Sequence, residues 1–135
     1  MSVYLIKNMQ KNDLVAVSAI EREAFPETWP PTRFVDELEN RLSSYFVAIS
    51  EELEFGIVGY VGIWYLVDES HIVSIASKNI VRRTGVGELL LISTIEDALI
   101  RDMRVVTLEV RESNETAQLL YKKFGFNNSV WRTRQ

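Results

Sequence analysis

Two arginines followed by two glycines form the segment of this sequence best suited to chemistry, Arg82-Arg83-Thr84-Gly85-Val86-Gly87. The β-branched and apolar run His71–Ala76 ahead of it reads as a strand, and a long amphipathic helix is predicted to begin near Val86. A strand, a turn with two glycines and a helix N-terminus suit the holding of a diphosphate. The first N–H groups of a helix have no intrahelical partner, and the helix dipole adds partial positive charge there. Gly85 and Gly87 let the backbone turn sharply and approach an anion closely, while Arg82 and Arg83 add full charge. An ordinary tight strand-to-helix connection would look the same in these residues alone. Neither G-x-x-x-x-G-K-[ST] nor G-x-G-x-x-G is present.

A second candidate lies in the predicted strand Val105–Val110. Val106, Leu108 and Val110 point one way, whereas Thr107, Glu109 and Arg111 point the other. A strand flanked by two long helices is normally apolar on both faces. Its polar face therefore marks either a cleft or a solvated surface, and the pattern alone does not separate the two.

Composition narrows the functions available. A length of 135 residues predicts one domain spanning 1–135, with one core. Hydrophobic residues make up 47% and charged residues 25%, the balance of a globular protein. No apolar run approaches the ~20 residues of a membrane span, and no signal-peptide pattern opens the chain. There are no cysteines, so disulfides, thiolate metal sites and a cysteine nucleophile are excluded, and a cytoplasmic location is expected. The single histidine, His71, excludes a histidine-rich metal centre; no metal is expected. A net charge of −4 argues against non-specific nucleic-acid binding. An acidic domain with one basic loop points to a small anionic ligand and a cationic second substrate.

The elements that must position these residues follow from periodicity. Val3–Lys7 reads as a strand, and Asp13 as the cap of a helix to Ala24 with Leu14, Val17, Ile20 and Ala24 on one face. The loop Phe25-Pro26-Glu27-Thr28-Trp29-Pro30-Pro31 follows, then a second helix from near Pro31 carrying Phe34, Leu38 and Leu42. Strands are predicted at Tyr45–Ser50, Phe55–Leu66 and Ser70–Ala76; Gly56, Gly59 and Gly62 in the second imply bulges or close approach. The helix from Val86 should run to about Asp102, with a stripe of Leu89, Leu90, Ile95, Ala98 and Leu99. Strand Val105–Val110, a helix capped by Ser113 or Asn114 and stopped at Gly125, and strand Phe126–Trp131 complete the chain. The order β-α-α-β-β-β-α-β-α-β predicts an α/β fold of the α+β kind, a mixed sheet with helices on both faces.

Several stretches, in this order, resemble the GNAT superfamily of N-acetyltransferases. Arg82-x-x-Gly85-x-Gly87 is similar to the family's coenzyme-A pyrophosphate loop. Leu108-Glu109-Val110-Arg111-Glu112-Ser113-Asn114, followed by Leu120-Tyr121 and Gly125-Phe126, looks like its L-E-V-R-x-S-N…L-Y-x-x-x-G-F. Phe25-Pro26-Glu27-Thr28-Trp29 is similar to the F-P-x-x-W loop, and Gly59–Trp64 with Glu69–Ile72 to the third and fourth strands. This wording is closest to the RimI-like ribosomal-protein alanine N-acetyltransferases, and the likeness covers Asp13 to Phe126.

The resemblance implies acetyl transfer from acetyl-CoA to a primary amine by direct attack in a ternary complex, most simply to a protein N-terminus. It implies that Arg82, Arg83, Thr84, Gly85, Val86 and Gly87 grip the pyrophosphate, and that N–H groups of Ile75, Ala76 or Ser77 meet the thioester carbonyl where the sheet splays. Glu109 matches the family's base, and Tyr121 the group that stabilises the leaving thiolate. Asn114 is a helix cap or a CoA contact. Trp29 and Glu69 join Glu109 on the acceptor side. A small-molecule amine acetyltransferase and a non-catalytic acyl-CoA-binding module remain as alternatives. The family usually has valine and proline where Ser77 and Asn79 stand, and often asparagine at Ser74. Family members also continue into a seventh strand past the point where this sequence stops, at Gln135. An open edge on Val105–Val110 would then favour a homo-oligomer.

Overall fold

A computed structural model describes residues 3–52, 56–108 and 115–125, with side chains in the last segment from position 119. Its elements are β1 (Tyr4–Asn8), α1 (Leu14–Ala24), α2 (Phe34–Glu39), β2 (Ser43–Ser50), β3 (Ile57–Leu66), β4 (Glu69–Ser77), α3 (Val86–Ile100), β5 (Val105–Leu108) and α4 (Glu115–Lys123). The five strands form one mixed sheet in sequence order. β1 to β4 are antiparallel neighbours, and β5 joins parallel to β4. The element order matches the expected one through α4. The predicted strand Phe126–Trp131, Val110 and the pairing on the outer edge of β5 lie outside the described residues.

Apolar side chains alternate along the strands and so build a core on each face of the sheet. On one face Val58, Val61, Ile63 and Ile72 pack with Val86, Leu90 and Leu91 of α3 and Tyr121 of α4. On the other, Val47, Tyr45 and Tyr60 pack with Val17 and Ile20 of α1 and Phe34 of α2. Phe34 meets the Tyr45 and Tyr60 rings edge-on, at centroid distances of 5.8 and 5.7 Å.

The structure corrects several local expectations. Asp13 does not cap α1 with its side chain; a 3-10 turn over Lys11–Asp13 comes first. The Asp13 carboxylate instead accepts the Gln10 N–H at 2.8 Å and the Lys7 ammonium at 3.0 Å. α2 starts at Phe34 rather than near Pro31, because Thr32 is held by Glu21: both its N–H and its hydroxyl donate to that buried carboxylate. Leu42 lies beyond α2, exposed, with its carbonyl accepting Tyr65 N–H. The buried stripe of α3 is Val86, Leu90, Leu91, Thr94 and Ala98, whereas Leu99 is exposed.

The strand glycines have separate reasons. Gly56 precedes β3 at φ 56°, a turn position rather than a strand one. A methyl group on Gly62 would collide with the Tyr45 ring, and one on Gly59 would lie 2.8 Å from Val86 Cγ1. Close approach, as expected, is what both permit.

Candidate active site

β4 carries the centre of the site. Its pairing with β5 covers Glu69–Ile72 against Val105–Leu108. Its register with β3 shifts between Gly62 and Ile63, leaving Val73 as an extra residue, and then continues to Gly59↔Ser77. Lys78 N–H donates to Val58 O at 2.8 Å. Bonded and non-bonded pairs alternate in an antiparallel ladder, so Ala76 and Ser74 also bond to β3. The N–H groups of Ile75 and Ser77 therefore point away from β3. They face a cavity of about 580 Å³.

This cavity is walled by Ile75, Ala76 and Ser77 of β4, Arg82, Arg83, Gly85, Gly87 and Glu88 around the start of α3, Leu120 and Tyr121 of α4, and Ala24 and Phe25 at the end of α1. The segment before α3 is wound tightly. A 3-10 turn, Asn79–Val81, leads to Arg83 at φ 67° and Gly85 at φ 99°, both left-handed. Gly85 is the N-cap of α3, and the first intrahelical bond runs from Leu89 N–H to Gly85 O at 3.0 Å. The amides of Val86, Gly87 and Glu88 thus have no partner inside the helix. Together with Arg82 and Arg83, both exposed, they make a cationic rim suited to a diphosphate.

Gly87 has a packing role as well. A Cβ there would sit 3.3 Å from Leu120 Cδ2, so its absence lets α4 close on α3. Lys123 of α4 pairs with Glu88 of α3 and fixes that approach. Tyr121 is buried beneath it, and burial pushes its hydroxyl up to about 12.

Of the sequence-predicted residues, Ile75, Ala76, Ser77, Arg82, Arg83, Gly85, Gly87 and Tyr121 meet in this one cavity. Val86 turns its side chain into the core, and only its backbone faces the rim. Thr84 points to β1, its hydroxyl 2.7 Å from Tyr4 Oη. Trp29 lies in the loop after α1, 86% exposed, beyond the cavity lining. Glu69 begins β4, six residues from Ile75 and so about 20 Å along the strand. Glu109 and Asn114 lie outside the described residues. Sequence reasoning missed Ala24 and Phe25 as cavity walls, although the Phe25-Pro26 dipeptide of the recognised loop was the available signal. It also gave no contact to His71, whose Nδ1 is 2.6 Å from Thr107 Oγ1 on the expected polar face. Among the described residues no cluster of histidine and carboxylate groups is arranged to hold a metal ion.

A model of the acetyltransferase (GNAT) family matches residues 14–126. The chain belongs to this family. It is an acetyl-CoA-dependent N-acetyltransferase of the GNAT type. A putative ribosomal protein bS18-alanine N-acetyltransferase of Bacillus subtilis is 40% identical over 121 residues, covering 89% of this chain and 78% of that one. An N-alpha-acetyltransferase of Sulfurisphaera tokodaii is 35% identical over 133 residues, covering 91% and 80%. Among solved structures, the ribosomal-protein-S18-alanine N-acetyltransferase of Escherichia coli superposes with a TM-score of 0.82 at 26% identity, covering 93% and 78%. The mixed sheet with helices on both faces is thus the GNAT fold, as expected from the order of motifs.

Proposed function

We propose that this GNAT domain acetylates the N-terminal α-amine of a protein, of the ribosomal-protein alanine type. The observation that carries the site assignment is the meeting of two outward β4 amides, the start of α3 and Tyr121 in one cavity. The acceptor class rests on the 40% identity to a relative named for alanine N-acetylation.

The residues present fit acetyl-CoA, whose bound thioester supplies the activated acetyl group. Arg82, Arg83 and the amides of Val86, Gly87 and Glu88 at the start of α3 would hold its pyrophosphate. Ile75 and Ser77 N–H groups, about 7 Å apart on one edge of β4, would donate to carbonyl oxygens along the extended arm and at the acetyl group. Glu109 would take the proton that the attacking amine must lose, directly or through one water. Tyr121 would donate a hydrogen bond to the departing sulfur.

An α-amine asks least of a single carboxylate base. With a pKa near 7.8 it is roughly a tenth neutral at pH 7, whereas a lysine at ~10.4 is neutral to well under a thousandth. Peptides bearing one free α-amine and one lysine side chain, incubated with acetyl-CoA and read by mass spectrometry, test the assignment. Label should appear on the α-amine, and Glu109→Gln should slow it near neutral pH without weakening acetyl-CoA binding. Faster labelling of the lysine side chain would refute it.

A further inference from the structure

A long-range hydrogen bond joins the two lips of the cavity. Glu23, in the last turn of α1, accepts the backbone N–H of Asn79 through Oε1 at 2.8 Å, across 56 positions of sequence. Asn79 opens the 3-10 turn that leads into the phosphate-binding rim, and its carbonyl accepts Arg82 N–H at 3.2 Å. Its neighbour Lys78 is anchored to β3 through the bond to Val58. On the other side, Glu23 is followed at once by Ala24 and Phe25, which wall the same cavity and begin the loop to Trp29. One peptide unit thus connects the segment bearing Arg82 to the segment bearing Phe25.

We infer that Glu23 and Asn79 are positioning residues whose hydrogen bond couples occupancy of the α3 rim to order in the Phe25–Trp29 loop. The inference rests on the proposed function, since it takes acetyl-CoA as the occupant of the rim. An anion on the Val86–Glu88 amides favours one geometry of the turn, and Asn79 N–H transmits that preference to Glu23 and the end of α1. By reciprocity, an acceptor that orders the loop also favours the rim. Neither residue is a catalytic group. Glu23 is exposed, so the contact is worth no more than one net hydrogen bond, about a fivefold bias.

The backbone offers a clean way to break the contact. Lys78 has ψ 145°, the extended conformation that a residue before proline requires, and Asn79 is the first residue of its turn, where proline fits. Asn79→Pro therefore removes the donor and leaves the turn intact. Glu23→Ala removes the acceptor from the other side, and Glu23→Gln keeps an acceptor oxygen while removing the charge.

Acetyl-CoA affinity by calorimetry and amide hydrogen exchange of residues 25–29, with and without acetyl-CoA, test the coupling without an acceptor. In the wild-type protein acetyl-CoA should slow exchange at Thr28 and Trp29. Asn79→Pro and Glu23→Ala should each lose about fivefold of that slowing, the double variant no more than either alone, and Glu23→Gln should keep most of it. Full slowing in Asn79→Pro, or additive losses in the double variant, would overturn the coupling while leaving the function standing. Wild-type protein that binds no acetyl-CoA would overturn the function, and the coupling with it.

Discussion

Replacing Tyr121 with phenylalanine separates proton transfer from hydrogen bonding at the leaving group. Burial holds the Tyr121 hydroxyl at about 12, against ~8.5 for an ordinary thiol. Handing its proton to a thiolate would then be uphill by roughly 3.5 units, about 5 kcal/mol at 1.36 kcal/mol per unit. That cost is too large for a step that gains nothing from it. Donating a hydrogen bond to the developing negative charge has no such penalty, and bonds to charged groups contribute about 1.5–3 kcal/mol. Sulfur is a weak acceptor, so the low end applies, and Tyr121→Phe should lower kcat about tenfold. The ring stays in the core it shares with Leu90, Leu91 and Leu108, so acetyl-CoA affinity should barely move, and the unfolding temperature reads any structural cost of the lost hydroxyl separately. Released thiol followed from pH 6 to 10 is the assay. A group titrating near 12 stays protonated across that range, so wild type and variant should share the shape of their alkaline limbs. A descending limb between pH 8 and 10 that vanishes in Tyr121→Phe would show true acid catalysis and refute the reasoning.

Two glycine substitutions probe the scaffold and the rim separately. Gly62→Ala drives a methyl group into the buried Tyr45 ring, and overpacking of this kind should lower the denaturant midpoint by the equivalent of about 1–3 kcal/mol; an unchanged midpoint would mean that β2 and β3 give way freely. A Cβ on Gly85 meets no neighbour within 4 Å, so Gly85→Glu acts through about 1–2 kcal/mol of left-handed strain at φ 99° and a carboxylate at the proposed anion site, and should abolish acetyl-CoA binding in calorimetry.

What the sequence disclosed depended on the range of each interaction. The β-branched runs located β2, β3 and β4 to within two residues at each end, because strand alternation is local. The glycine turn at the start of α3 was legible for the same reason, since Arg82 to Gly87 is contiguous. The edges of the α3 stripe were not. Leu89, Ile95 and Leu99 fit a helical period as well as Leu91 and Thr94 do, and only the sheet beneath decides which are covered. Pro31 read as a helix start because nothing nearby in sequence reveals that Glu21 holds Thr32 ahead of the helix. The reason for Gly62 lay in Tyr45, seventeen positions earlier on a neighbouring strand. Asn79 appeared only as a departure from a family proline, although the N–H that proline would lack is the one Glu23 accepts.

The position of the cavity follows from the backbone of β4. Buried N–H groups must be satisfied, and a strand inside a sheet normally spends them on both neighbours. In β4 the first four residues do so, between β3 and β5, while Ile75 and Ser77 face the cavity instead. Two donors on one edge, about two residues of strand apart, match an extended ligand carrying carbonyls at similar spacing. The bulge at Val73 falls between these two halves of the strand. Bulges bend a strand and increase its local twist, so one extra residue marks the change from sheet to the edge that faces the cavity. α3 then begins ten residues after Ala76, with its partnerless amides on the same cavity. A ligand with carbonyls along its arm and a diphosphate at its end would match both sets of donors at once, and Tyr121 of α4 lines the same cavity.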